Sequence, residues 1–183
     1  MHRSLLVRQV APAVILFLGL LAGSLLLDDL LHRAGWVALG LWLGPIGTAL
    51  IALSFLYSLR KRKVIQTGPP RAFLEWHQAL GWSGALLVTV HGGVHFHAIL
   101  PWAALAAMLI VVASGMTGGV LLRRALADVR ERSAEAPEEW RLFLDAATVD
   151  AMKRWRAVHM PLNAVFLVFA LAHVVSAILL RSW

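Results

Sequence analysis

His77 and His91 are fourteen positions apart, and so are His159 and His173; both pairs lie in apolar stretches. An α-helix rises about 1.5 Å per residue, so fourteen residues advance it by roughly 21 Å and return the side chain to within about 40° of its starting face. Two helices with this pattern, side by side, offer two cross-helix imidazole pairs at two depths of a bilayer. Imidazole is an axial ligand for haem iron, and a bundle core is a place where such a cofactor is held. The expected chemistry is therefore two haems, one above the other, each clasped by one histidine from either helix. A lone intramembrane histidine is more often a hydrogen-bonded packing residue. Yet ionisable residues in spans are rare and usually functional, and four of them in two equal pairs form a constellation.

The faces between these histidines fit a flat ligand. From His77 the face passes Gly81, Gly84 and Val88 before His91. Each glycine costs a helix roughly 1 kcal/mol against Ala, so close approach by a neighbouring helix or by a macrocycle is the expected return. The matching face of the second pair passes Asn163, Phe166 and Ala170. Asn163 is expected to hydrogen-bond across helices. Propionates would need basic partners, and Arg71, Lys153, Arg154 and Arg156 are placed to supply them. Topology and lipid contact explain those four residues equally well.

Further histidines follow in the run HGGVHFH, where His95 and His97 trail His91. Three readings stay open for them: an outer-face metal site, a proton-handling group for a quinol, or interface polarity. His95 could also replace His91 as ligand, although the equal fourteen-residue spacing favours His91. Glu75 reads as a solvated carboxylate paired with Arg71, or as a proton acceptor for a quinol. His2 and His32 fall at span ends and read as solvated. Trp36, Trp76, Trp102, Trp155 and Trp183 read mainly as interfacial anchors.

The elements that must carry these residues are membrane helices. The chain has 183 residues, 60% of them hydrophobic, and a mean hydropathy of +0.73. A soluble domain is nearer ~45–50% apolar. Five stretches are long enough to cross about 30 Å of hydrocarbon: 11–27, 36–59, 79–100, 102–122 and 157–180. The first resembles a signal peptide in having Arg3 and Arg8 ahead of an apolar run, but it continues to Leu27 and meets Asp28-Asp29 without a small-residue cleavage site, so a retained span is expected. Residues 138–155 form an amphipathic pattern, with Trp140, Phe143, Leu144, Ala147, Ala151 and Trp155 at three- and four-residue intervals. An interfacial helix is expected there; a surface helix packed on the bundle is the alternative. The expected class is all-α: a single membrane domain over 1–183, five transmembrane helices plus the interfacial helix, and a haem-binding core at 76–180.

Charge orients the bundle. The net charge is +7, but the basic residues flank apolar spans, which points to lipid and topology and not to nucleic acid. With the N-terminus inside, fifteen of the 17 Lys and Arg fall on the inner side. The positive-inside rule thus predicts a cytoplasmic N-terminus and an opposite, periplasmic C-terminus. The third and fifth spans then run the same way, which pairs His77 with His159 near the inner side and His91 with His173 near the outer. The absence of cysteine excludes disulfides, thiolate-bound iron–sulfur clusters and covalent haem attachment in this chain.

The segments WHQALGWSGALLVTVH, VVASGMTGGVLLRR and WRAVHMPLNAVFLVFALAH together resemble the core of bacterial di-haem cytochromes b, the broad group of ferric-reductase-like and cytochrome b561-like membrane subunits. The resemblance covers the last three spans, a little over half the chain. It implies two non-covalent b haems, one-electron transfer across a bacterial inner membrane, and either a quinone or a redox protein (cytochrome, flavoprotein or iron–sulfur subunit) as partner. A full ferric reductase carries FAD- and NADPH-binding domains after its last span; no Gly-rich dinucleotide fingerprint is seen here, so a membrane subunit of a larger oxidoreductase system is expected. A metalloreductase core fed by a separate flavoprotein is the alternative within redox chemistry. A haem-free, histidine-lined metal-ion transporter is the alternative from another class, and it lacks the mid-membrane carboxylates it would need. A structural anchor whose histidines only pack is the fourth.

Overall fold

A computed structural model describes residues 3–93, 99–122, 127, 131 and 137–180, with backbone alone for 3–10 and 120–122. His2, His95, His97, Arg123, Arg124, Arg130, Arg132, Arg181 and Trp183 lie outside these. The described chain is helical, without strands. It comprises α1 (Arg3–Arg33), α2 (Val37–Ser54), α3 (Leu56–Lys61), α4 (Pro70–Gly92), α5 (Ile99–Met116), a π-helical turn (Thr117–Leu122) and α6 (Glu138–Leu180).

Local sequence explains the breaks. Gly35 has a φ of +71° in the tight link from α1 to α2, a conformation that favours glycine. Pro70 opens α4 at its first turn, where a missing N–H costs nothing. Gly93 closes α4 with a φ of +52°. The Gly92-Gly93 pair thus ends the helix ahead of His95, as its weak helix propensity leads one to expect. Between α2 and α3 the Phe55 N–H bonds the Ala52 carbonyl at 3.1 Å, a tight three-residue step that kinks the rod.

Four helices are long and apolar enough to cross a membrane: Ala11–Arg33, Val37–Lys61, Ile99–Gly119 and Glu138–Leu180. Their outer faces carry large bare apolar side chains, such as Ile15, Trp42 and Ile178, each about two-thirds exposed. A water-facing surface would not tolerate such a continuous apolar area; lipid would cover it. This is an integral membrane helical bundle. α4, with 23 residues, is long enough but is not among these four.

Two elements differ from the sequence expectation. The amphipathic segment and the last span are one continuous 43-residue helix, about 65 Å long. Pro137 precedes it, and Glu138 and Glu139 sit in its first turn, against the positive end of the helix dipole. The fourth span ends its α-helical part at Met116 and finishes as a π turn, a widening that recurs at functional sites.

The small buried core is Leu20 of α1, Ala85 of α4, Leu105 and Met108 of α5, and Phe166 of α6. Helix α4 packs most extensively on α2 and also meets α1, α3 and α5, while α6 packs on α5 and the π turn. Among the described residues, α4 and α6 share at most marginal direct packing.

Candidate functional site

Helix α2, whose residues carry no chemistry of their own, orients both histidines of α4. His77 Nδ1 lies 3.0 Å from the Ser54 carbonyl, and His91 Nδ1 lies 3.1 Å from the Gly40 carbonyl. The two acceptors are themselves fourteen residues apart in sequence, matching the histidines in reverse order along an antiparallel neighbour. The kink makes the first acceptor available: the Ser58 N–H turns to Phe55 O at 2.8 Å. A glycine makes the second approach possible, because a Cβ on Gly44 would come within 2.6 Å of the His91 ring. Tyr57 tilts over His77 with ring centroids 5.5 Å apart.

A carbonyl oxygen can only accept. Each of these Nδ1 atoms therefore carries the ring proton, and each Nε2 keeps its lone pair. This is the arrangement in which metal-ligating histidines are usually held: one ring nitrogen donates to a fixed acceptor, the other is free to bind.

His159, on α6, is the buried histidine of the described set. Its Nδ1 is 3.2 Å from Ser114 Oγ on α5, and its Nε2 is 3.0 Å from Asn163 Nδ2. The same amide nitrogen donates to the His159 carbonyl at 3.1 Å, which fixes that atom as the nitrogen of the amide. The donor at Nε2 then leaves the ring proton on Nδ1, and Ser114 accepts it. Trp155 stacks on His159, centroids 4.9 Å apart and 20° from parallel, and donates its indole N–H to the Ser114 carbonyl at 2.8 Å. Gly118 of the π turn makes room for the indole; any Cβ there would collide with it. Gly115 stands 3.6 Å from His159 Cε1 by the same measure.

The α6 histidines lie within electrostatic reach of their expected α4 partners, His159 of His77 and His173 of His91. The pairing requires the two helices to run past one another in the same direction. Among the described residues α4 and α6 hardly pack on one another.

The other expected site residues divide. A Cβ on Gly81 would meet nothing within 4 Å, so that face, one turn from His77, is open. Gly84 is taken by a helix: it crosses Gly47 of α2 with mutual Cβ-to-carbonyl approaches of 2.7 Å. Of the two close approaches foreseen for the glycines, Gly84 serves helix packing. Arg71 is held by Glu75 at 3.0 Å, and Arg154 by Asp150 at 2.8 Å, both as exposed pairs one turn apart. Arg156 comes near enough to Lys61 of α3 for their like charges to interact. Asn163 bonds its own helix and His159, not a neighbouring helix as expected. Trp155, read as an interfacial anchor, packs inward on His159. Sequence reading missed Gly40, Gly44, Ser54 and Ser114. The helical series Trp155–His159–Asn163, spaced by four, was the available signal for α6.

The donor set fits a haem. Three imidazoles present Nδ1–H to an acceptor and a lone pair at Nε2, and Gly81 leaves an open face one turn from His77. Asn163 does not prevent this, since its amide retains the His159 carbonyl if the ring nitrogen is taken. Among the described residues no group of three or more His, Asp or Glu could hold a metal ion. No known family model, curated protein or solved structure matches this chain.

Proposed function

We propose that the chain is a di-haem b-type electron-transfer subunit of a membrane oxidoreductase system, with His77 and His159 holding one haem and His91 and His173 the other. One observation carries the reading: three of the four imidazoles are tautomerically fixed to present Nε2, and each α6 histidine is within electrostatic reach of its expected α4 partner. A b haem, when bound, supplies a reversible one-electron centre. The protein's part is to orient its own rings and keep them dry. The α2 carbonyls hold the α4 rings, and Ser114 and Trp155 hold His159. Gly44, Gly81 and Gly115 keep the adjacent backbone clear. Arg71, Lys153, Arg154 and Arg156 are the candidates for anionic groups at the basic end. Resemblance to bacterial cytochromes b makes a quinone or a redox protein the proposed partner.

The same reading takes α4 as a fifth crossing, with a cytoplasmic N-terminus, in a bacterial inner membrane. At 23 residues α4 reaches about 34 Å. Its polar positions include the two histidines, which would face the bundle interior, as ionisable groups in spans almost always do.

An absorbance spectrum of the purified, dithionite-reduced chain tests the function. A b-type α band at about two haems per chain is expected. The variant His159→Ala should lose one haem and keep the other. Retention of both would refute the pairing, and a colourless wild-type protein would refute the haem reading itself.

A further inference from the structure

His159 differs from the two α4 histidines in how it is held. The α4 rings hang from backbone carbonyls, which are fixed. His159 instead has a side chain on each ring nitrogen, Ser114 at Nδ1 and Asn163 at Nε2, and a tryptophan on its face. A buried imidazole with a bare lone pair in apolar surroundings is unfavourable. Asn163 satisfies it at 3.0 Å while keeping a second acceptor, the His159 carbonyl, at 3.1 Å. One amide nitrogen therefore spans two acceptors and can surrender one without being left unpaired.

We propose that Asn163 is a displaceable latch on the ligating nitrogen of His159, and that Ser114 is the positioning residue that keeps this nitrogen the unprotonated one. The inference rests on the haem reading. Before the cofactor arrives, the latch satisfies the buried ring and holds its rotamer. On loading, Nε2 passes to the iron and the amide stays on the carbonyl one turn back. Ser114 accepts the Nδ1 proton throughout, which makes the imidazole a stronger electron donor.

The test uses the full chain, made haem-free and titrated with haem b in detergent. Uptake is followed by absorbance, and the two ferric low-spin signals by electron paramagnetic resonance. Ser114→Ala should weaken uptake at one site by about tenfold, as loss of a ligand's outer partner does. It should also shift one low-spin signal and raise the midpoint potential of that haem alone, since the ligand becomes less basic. Ser114→Thr restores a hydroxyl and should restore all three readouts. Asn163→Leu removes the competitor and should tighten binding at the same site by about fivefold, the worth of one net hydrogen bond. Unchanged signals and uptake in both variants, or equal shifts at both haems, overturn the proposal. Those results would leave the di-haem reading standing, whereas wild-type protein that takes up no haem removes both.

Discussion

At the scale of single residues, the histidines were legible because spacing alone reports a helix face. Their outer partners were not. A backbone carbonyl has no sequence signature, and Gly40 and Ser54 reveal themselves only once α2 lies antiparallel to α4 with the right register. Gly44 is the residue on which this register most visibly depends. A methyl there meets three atoms of the His91 ring at 2.6 to 2.8 Å, closer than real Cβ contacts. The ring must turn or α4 must withdraw, and either breaks the bond from Nδ1 to Gly40. Gly44→Ala is accordingly expected to cost the haem proposed for His91 and His173 while sparing the one proposed for His77 and His159. Haem stoichiometry of the purified variant, near one per chain in place of two, is the check. Two haems with unaltered resonance signals would show that His91 does not need its α2 anchor.

At the scale of elements, the two glycines that share a face of α4 perform different tasks. Gly84 faces Gly47 so closely that backbone, not a flexible side chain, blocks any Cβ. Overpacking of that kind costs about 1–3 kcal/mol, so Gly84→Ala should lower the thermal midpoint of the haem-free protein. Gly81 stands beside open space, and an alanine there should stabilise the bare helix by up to about 1 kcal/mol. If a flat cofactor occupies that space, the same substitution weakens its uptake. The paired outcome, Gly84→Ala less stable and Gly81→Ala more stable but poorer in haem, is measurable by melting curves and haem titration on the two variants. Equal destabilisation by both would assign Gly81 to helix packing as well. Sequence periodicity found most helices but not their joins. Nothing between Trp155 and Ala157 stops a helix, so the amphipathic stretch and the last span fuse into α6. Pro161 sits inside this helix without ending it, because a proline removes one hydrogen bond and a long rod tolerates the loss when neighbours hold it. The kink at Phe55, by contrast, has no proline or glycine to announce it.

At the scale of the whole molecule, the bare apolar faces of four helices and the gathering of Lys and Arg at alternate loops are two independent signs of a membrane protein. The sequence showed both, since each depends on composition by segment. It could not settle α4, where His77, His91 and the polar residues near them dilute the apolar signal that marks a span. The proposed topology makes this point testable, and the lack of any native cysteine makes the test clean. Single cysteines at Ala34, Arg62 and Ile99 would report the sides of three connections. Ala34 lies in the turn after α1, Arg62 directly after α3, and Ile99 at the start of α5, where it is 90% exposed. With a cytoplasmic N-terminus, a membrane-impermeant thiol reagent should label positions 34 and 99 in intact spheroplasts, and position 62 only after lysis. The inverse pattern would reverse the orientation but keep five crossings. Position 99 labelling together with 62, on one side, would mean that α4 does not cross. His77 and His91 would then share a single membrane face, and two haems at two depths would have no helix to join them.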